Sequence, residues 1–203
     1  MSFGPNELVA TMVAVSFAAG LNLPATIATL GLLGRFGVVS LPAPIAMLSN
    51  EWVIGASLVL FVLEFFADKV PVFDLFWNLL QTFIRVPAGA LLAWSATTSL
   101  SPAGQLTVAV AGAVIALAAH GGKLALRSAV TPSPEPFSNV ALSVGEDVVA
   151  IGLTWFATEH PYLALGIATM LVGAVVLVIR WVWRALKNYL SRDQSVTRTS
   201  ASR

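Results

Sequence analysis

Cysteine is absent from this chain. That excludes disulfides, thiolate metal sites and thiol nucleophiles, and leaves the redox compartment undetermined. Charge is nearly absent too: Asp, Glu, Lys and Arg make up 10% of 203 residues, where a soluble domain carries roughly 25%. The net charge of +1 offers no long-range attraction to nucleic acid. The two histidines, His120 and His160, stand alone, with no second histidine at ligand spacing, so no zinc site is expected. No P-loop, HExxH pattern or nucleophile elbow occurs, so no enzyme chemistry and no cofactor are expected, and no catalytic residue is nominated. The first seven residues hold no Lys or Arg, so the first apolar run lacks the basic flank of a cleaved signal and reads as a retained span.

What remains is apolar. Hydrophobic residues are 57% of the chain and the mean hydropathy is +0.84. Long charge-free runs alternate with short polar junctions, and each run approaches the roughly 20 residues that cross a bilayer core. The expected fold is therefore all-α, a polytopic membrane bundle of about six spans within residues 1–190. Residues 191–203, polar and basic, read as a disordered tail. The first span covers 8–33 and is interrupted at Gly20-Leu21-Asn22-Leu23-Pro24, where proline removes a helical hydrogen bond. A stretch with Pro42 and Pro44 is a loop or a re-entrant piece. Further spans cover 52–66, 74–94, 106–119 (ending at His120-Gly121-Gly122-Lys123), a fifth opening at the N-cap pair Ser138-Asn139 and ending near Glu159, and 162–183.

Lys and Arg bias sets orientation. Arg180, Arg184, Lys187, Arg192, Arg198 and Arg203 put the C-terminus in the cytoplasm. With six spans, Lys69, Lys123 and Arg127 also fall inside, and the outer junctions hold only Arg35.

The halves, about 8–95 and 104–185, echo each other. Pro42-Ala43-Pro44 before Leu48-Ser49-Asn50-Glu51 parallels Pro134-Glu135-Pro136 before Leu142-Ser143-Val144-Gly145-Glu146. Phe65-Phe66-Ala67 with Pro71 parallels Trp155-Phe156-Ala157 with Pro161. The break around Gly20 would correspond to one around His120-Gly121-Gly122. Three spans per half is an odd number, so the second half would insert upside down. Inverted repeats with broken helices at matching places are a transporter pattern, with the site near the midplane.

Arg85 is the most informative residue. It follows Asp74 by eleven positions, about 16 Å along a helix, near the bilayer centre. An arginine there costs roughly 2.5–3.5 kcal/mol on insertion scales, so it should face the interior and be paired. Glu64 and Asp68 are four apart on one helical face, with Lys69 and Asp74 just beyond. Such carboxylates suit a hard cation or a proton; Asp68, Lys69 and Asp74 equally suit a helix end and the next helix's cap at the headgroups. Glu146 and Asp147 lie about 10 Å into the fifth span, pointing apart. Lys123 and Arg127 form a basic face, fit for pairing or for anchoring at the cytoplasmic surface. Asn22 can present its amide to an ion or solute, or cap a helix. The substrate or ion site is thus expected at Glu64, Asp68, Arg85, Glu146, Asp147 and Asn22, supported by Lys69, Asp74, Lys123, Arg127 and Asn139. Any metal is undetermined. Five acids against four bases leave −1, too little for a cage of several cations.

Gly20-Leu21-Asn22, Gly31-Leu32-Leu33-Gly34-Arg35, the string from Glu64 through Asp68-Lys69-Val70-Pro71 to Asp74, Arg85-Val86-Pro87, Pro134-Glu135-Pro136-Phe137-Ser138-Asn139 and Ser143-Val144-Gly145-Glu146-Asp147 resemble the bacterial multi-pass membrane proteins described as domain of unknown function 4126. That resemblance implies the bacterial inner membrane and transfers no catalytic roles. The Glu64 to Lys69 string is also loosely similar to the Glu-x-Gly-Asp-Lys motif of calcium/manganese cation exchangers. Here the acids are four apart instead of three and Ala67 replaces the glycine.

The leading expectation is a small secondary transporter, proton- or cation-coupled, acting on a small ion or solute in the lipid bilayer. One alternative is a structural or assembly protein with a buried salt-bridge network. Another is a lipid-headgroup binder or membrane enzyme using Lys123, Arg127 and Arg85 for phosphate. Small-residue faces such as Ala109, Gly112 and Ala116 permit tight packing, within one chain or between copies in a homo-oligomer.

Overall fold

The computed structural model describes residues 3–67, 71–130 and 136–201, without the side chains of 71–76, 78–79, 128–130, 136–139, 185–186 and 188–201. The described residues are all-α: α1 Pro5–Leu21, α2 Leu23–Arg35, a 3₁₀ helix Ala43–Ser49, α3 Glu51–Ala67, α4 Pro71–Ala96, α5 Pro102–Val130, α6 Pro136–Glu159 and α7 Pro161–Ala201. Five of these helices open on proline, whose missing N–H costs nothing in the first turn and whose φ is already helical.

The break at Asn22 is present, and the chain passes it in extended conformation. Other boundaries differ from expectation. No break occurs at Gly121-Gly122, because α5 runs through both. Two glycines cost about 1 kcal/mol each in helix propensity, but α7 packs closely on Gly122: a Cβ there would stand 2.6 Å from Val175 Cγ2. Close packing, not a kink, explains Gly122, whereas a Cβ on Gly121 would meet only Ile179 Cδ1 at 3.9 Å. Ser138 and Asn139 are not caps either, since α6 starts two residues earlier on Pro136. α4 likewise begins at Pro71, ahead of Asp74, and continues through Pro87. α7 extends to Ala201, taking in most of the segment read as a tail.

α1 is the hub. On one side Met12, Val15 and Ala19, with Leu23 at the start of α2, join Leu92, Ala93 and Ala96 of α4. On the other, Ala14, Phe17, Ala18 and Leu21 join Ala119, Leu153 and Ala164 of α5, α6 and α7. A helix apolar all round belongs in a core. Small residues bring the helices together, since a Cβ on Gly20 would overlap the Ala116 carbonyl of α5. Ala109, Gly112 and Ala116 therefore pack within the chain: Ala116 is fully buried and a Cβ on Gly112 would meet Gly89 O at 2.8 Å.

The outside is apolar. Leu58, Leu63, Phe83, Leu91, Val114 and Leu177 all face outward, while Arg85, Lys123 and Glu64 are 0–2% exposed. This inverts the polarity of a water-soluble bundle and suits a hydrocarbon surrounding. Among the described residues, three helical segments are long and apolar enough to cross a membrane: Pro102–Arg127, Val140–Glu159 and Pro161–Arg184. The 3₁₀ helix and α3, bent by 65°, make a fourth if counted as one broken span.

Candidate functional site: a buried ladder of charges

The break between α1 and α2 leaves backbone groups that a continuous helix would satisfy itself. At Asn22 one amide serves both helices. Its Oδ1 accepts from Ala25 N at 2.9 Å, capping α2, and its Nδ2 donates to Asp147 Oδ1 of α6 at 2.8 Å. On the α1 side, Arg85 Nη1 donates to the carbonyls of Gly20 (3.0 Å) and Leu21 (2.5 Å). A cation at a helix C-terminus also meets the negative end of its dipole.

Arg85 is completely buried and uses each of its nitrogens. Nε donates to Gln81 Oε1 at 3.0 Å, Nη1 takes the two carbonyls, and Nη2 pairs with Glu64 Oε1. Gln81, one turn earlier on α4, donates from Nε2 to Glu64 Oε2 at 3.2 Å, so both carboxylate oxygens are held from α4. Arg85 Nη1 also lies 3.3 Å from His120 Nδ1. A guanidinium nitrogen only donates, so Nδ1 accepts and the ring proton belongs on Nε2. There it donates to Thr82 Oγ1 at 2.8 Å.

The ladder continues across α5. Lys123 Nζ stands 3.6 Å from Glu64 Oε1 and 3.0 Å from Glu146 Oε2. Arg127, one turn on, reaches the same Glu146 oxygen at 3.2 Å. Arg85, Glu64, Lys123, Glu146 and Arg127 thus alternate in sign through α4, α3, α5 and α6. With Asp147, three bases face three acids among the buried described residues. Such neutrality is what burial demands, because one uncompensated buried charge costs about 3–5 kcal/mol.

Of the residues expected at the site, Glu64, Arg85, Glu146, Asp147, Asn22, Lys123 and Arg127 are brought into one connected set. Asp68 and Lys69 lie outside the described residues, as do the side chains of Asp74 and Asn139. Sequence reasoning missed Gln81, Thr82 and His120 as partners. The signal was there in spacing: Gln81 precedes Arg85 by four, and His120, Lys123 and Arg127 recur at three and four along α5, one helical face. Among the described residues no group of three His, Asp or Glu side chains converges as a metal site. Glu64 and Glu146 are each met by basic side chains instead. Chemically, the arrangement holds two carboxylates that share one ammonium, so protonating either one changes the pull on Lys123.

Searches of curated proteins and of solved structures found no match to the chain. The family model described as domain of unknown function (DUF4126) matches residues 9–181, which span every helix contributing to the ladder, and the chain belongs to that family.

Proposed function

We propose that this protein is a small secondary transporter, coupled to protons or a cation, in which Glu64, Glu146 and Asp147 are the titrating or ion-binding groups. Asp68, four positions after Glu64 in the sequence, joins them as a further candidate. The observation that carries the reading is Lys123, shared between carboxylates of the two halves, 3.0 Å from Glu146 and 3.6 Å from Glu64. Protonating Glu146 frees Lys123 toward Glu64; protonating Glu64 frees it toward Glu146. Two arrangements of one ion set, with Lys123 of α5 between Glu64 of α3 and Glu146 of α6, form the kind of bistable element that alternating access needs. Arg85 acts as the fixed counter-ion and anchors the α1 end of the broken span, while Asn22 ties the α2 end to Asp147.

In this reading α1 and α2 form one interrupted span, and with α3 to α7 they make six. The two three-helix halves are inverted, and the basic residues of α7 lie on the cytoplasmic side of a bacterial inner membrane. The halves are not identical, since α1 and α2 are separated at Asn22 while α5 runs on through Gly121-Gly122.

The test is flux in proteoliposomes across a panel of ions and small solutes, at several pH values. Protein-dependent, pH-dependent flux that collapses in Glu64→Gln and Lys123→Gln supports the carrier. A second reading, a purely structural network, is favoured by the saturation of Arg85, whose nitrogens all have protein partners. Under that reading the same substitutions lower stability and abundance, and no solute in the panel moves.

A further inference from the structure

Beside the ladder lies a cleft of about 350 Å³ between α1, α5, α6 and α7. That is within the size range of small-molecule sites, about 300–1,000 Å³. Its walls are apolar, with Phe17, Leu21, Leu126, Val149, Leu171 and Val175 among them. The rim residues Leu126 and Val149 are 38% and 37% exposed on the apolar outer face, so an occupant can enter sideways from lipid. Two ionisable residues line it, Lys123 and Glu146.

Glu146 is 9% exposed, and its Oε1 is buried without a hydrogen-bond partner, while Oε2 takes both Lys123 and Arg127. A buried acceptor left open is destabilising, and a donor from a ligand would recover that loss. The charges select the donor. A cationic head would approach two cations already on Oε2, and an anionic head would meet the carboxylate itself. A neutral O–H or N–H meets neither penalty.

We infer that this cleft binds an uncharged lipophile carrying a hydroxyl or amide donor, its apolar body against α6 and α7 and its donor on Glu146. The inference names the solute class of the proposed carrier and rests on that reading for transport, though not for binding. Gly145 supplies the means to test it: it lines the cleft, and a Cβ there meets nothing within 4 Å. Gly145→Leu projects a branched side chain into the space, from a Cβ position that meets no other atom. Gly152, on the same helix and equally open, does not line the cleft and serves as the control in Gly152→Leu.

The experiment measures thermal unfolding of the full chain in lipid nanodiscs against 1-decanol, decane, decyltrimethylammonium and decanoate. The expected result is a concentration-dependent stabilisation by decanol. It should be present in the wild type and Gly152→Leu, absent in Gly145→Leu, and about tenfold or more weaker for decane, the worth of a hydrogen bond to a charged acceptor. Equal effects of decanol and decane, a stronger effect of either charged probe, or decanol stabilisation that survives Gly145→Leu overturns the inference. Decanol binding as expected, with no solute of the proteoliposome panel moving, leaves the site standing and removes the carrier.

Discussion

Arg85 closes the C-terminus of α1: its guanidinium donates to the Leu21 carbonyl at 2.5 Å, from a helix 64 residues further along the chain. This contact explains how a helix can stop inside a buried core. The last carbonyls of a helix have no intrahelical donors, and in an apolar surrounding each would cost several kcal/mol. Arg85 supplies donors for two of them, and Glu64 balances the charge that comes with those donors. The broken helix and the buried ion pair are therefore one device.

Arg85→Ala should be among the most damaging single substitutions, since it takes from Glu64 its closest cation and leaves two carbonyls without their donor. A loss of about 3–5 kcal/mol is expected. Arg85→Lys keeps the charge but cannot span Glu64, Gln81 and the carbonyls at once, so it should fall between alanine and wild type. Adding Glu64→Gln to Arg85→Ala should restore part of the loss. Unfolding in detergent micelles by denaturant titration orders the four proteins. An Arg85→Ala protein as stable as the parent would mean the guanidinium is not buried here.

Asn22 offers a sharper comparison. Asp is as good an N-cap as Asn, so if capping α2 were the only role, Asn22→Asp would be harmless and Asn22→Ala would cost about 1 kcal/mol. The structure gives the opposite order. Asn22 also donates to Asp147 at 2.8 Å, and an aspartate would set two carboxylates against each other in a buried site. Asn22→Asp should be less stable than Asn22→Ala at neutral pH and should improve on acidification, as protonating one acid restores a donor. Thermal melts at two pH values decide it.

The sequence carried the membrane class, the break at Asn22 and the membership of the ladder because each rests on local cost. Charge in an apolar run, proline after a polar residue and acids without local partners all demand an answer wherever they occur. It did not carry pairings. That Lys123 would stand between Glu64 and Glu146 depends on where α5 passes, and helical spacing gives a face, not a neighbour. The Gly121-Gly122 pair misled for the same reason. Glycine marks either a break or a close approach, and only the position of Val175 on α7 distinguishes them. The caps at Ser138-Asn139 failed because Pro136 is already a good first helical residue.

Glycine position predicts opposite signs for the same substitution. Gly112→Ala would bring a Cβ to 2.8 Å from Gly89 O and 2.9 Å from both Ala93 Cβ and Ser16 Oγ. Overpacking of this kind costs about 1–3 kcal/mol. Gly173→Ala, on the outer face of α7, meets nothing within 4 Å and should gain up to about 1 kcal/mol of helix propensity. Melting temperatures of the two variants should move apart; shifts of equal sign would contradict the packing of α4 on α5.

His120 lies at the meeting point of Arg85 and Thr82, and its role can be read from one proton. Because Arg85 only donates, Nδ1 must accept and Nε2 must carry the hydrogen that reaches Thr82. ¹⁵N spectra of histidine-labelled protein should therefore show the Nε2–H tautomer for His120, distinguished from His160 by a His160→Gln control. Substitution gives an independent check. His120→Asn places an amide oxygen near the position of Nδ1, keeping the acceptor for Arg85. His120→Leu leaves the Arg85 donor facing a methyl group and should cost about 1–3 kcal/mol, most of which His120→Asn should avoid. An Nδ1–H signal, or equal losses for Asn and Leu, would mean that Arg85 does not rest on this ring and is held by Glu64, Gln81 and the α1 carbonyls alone.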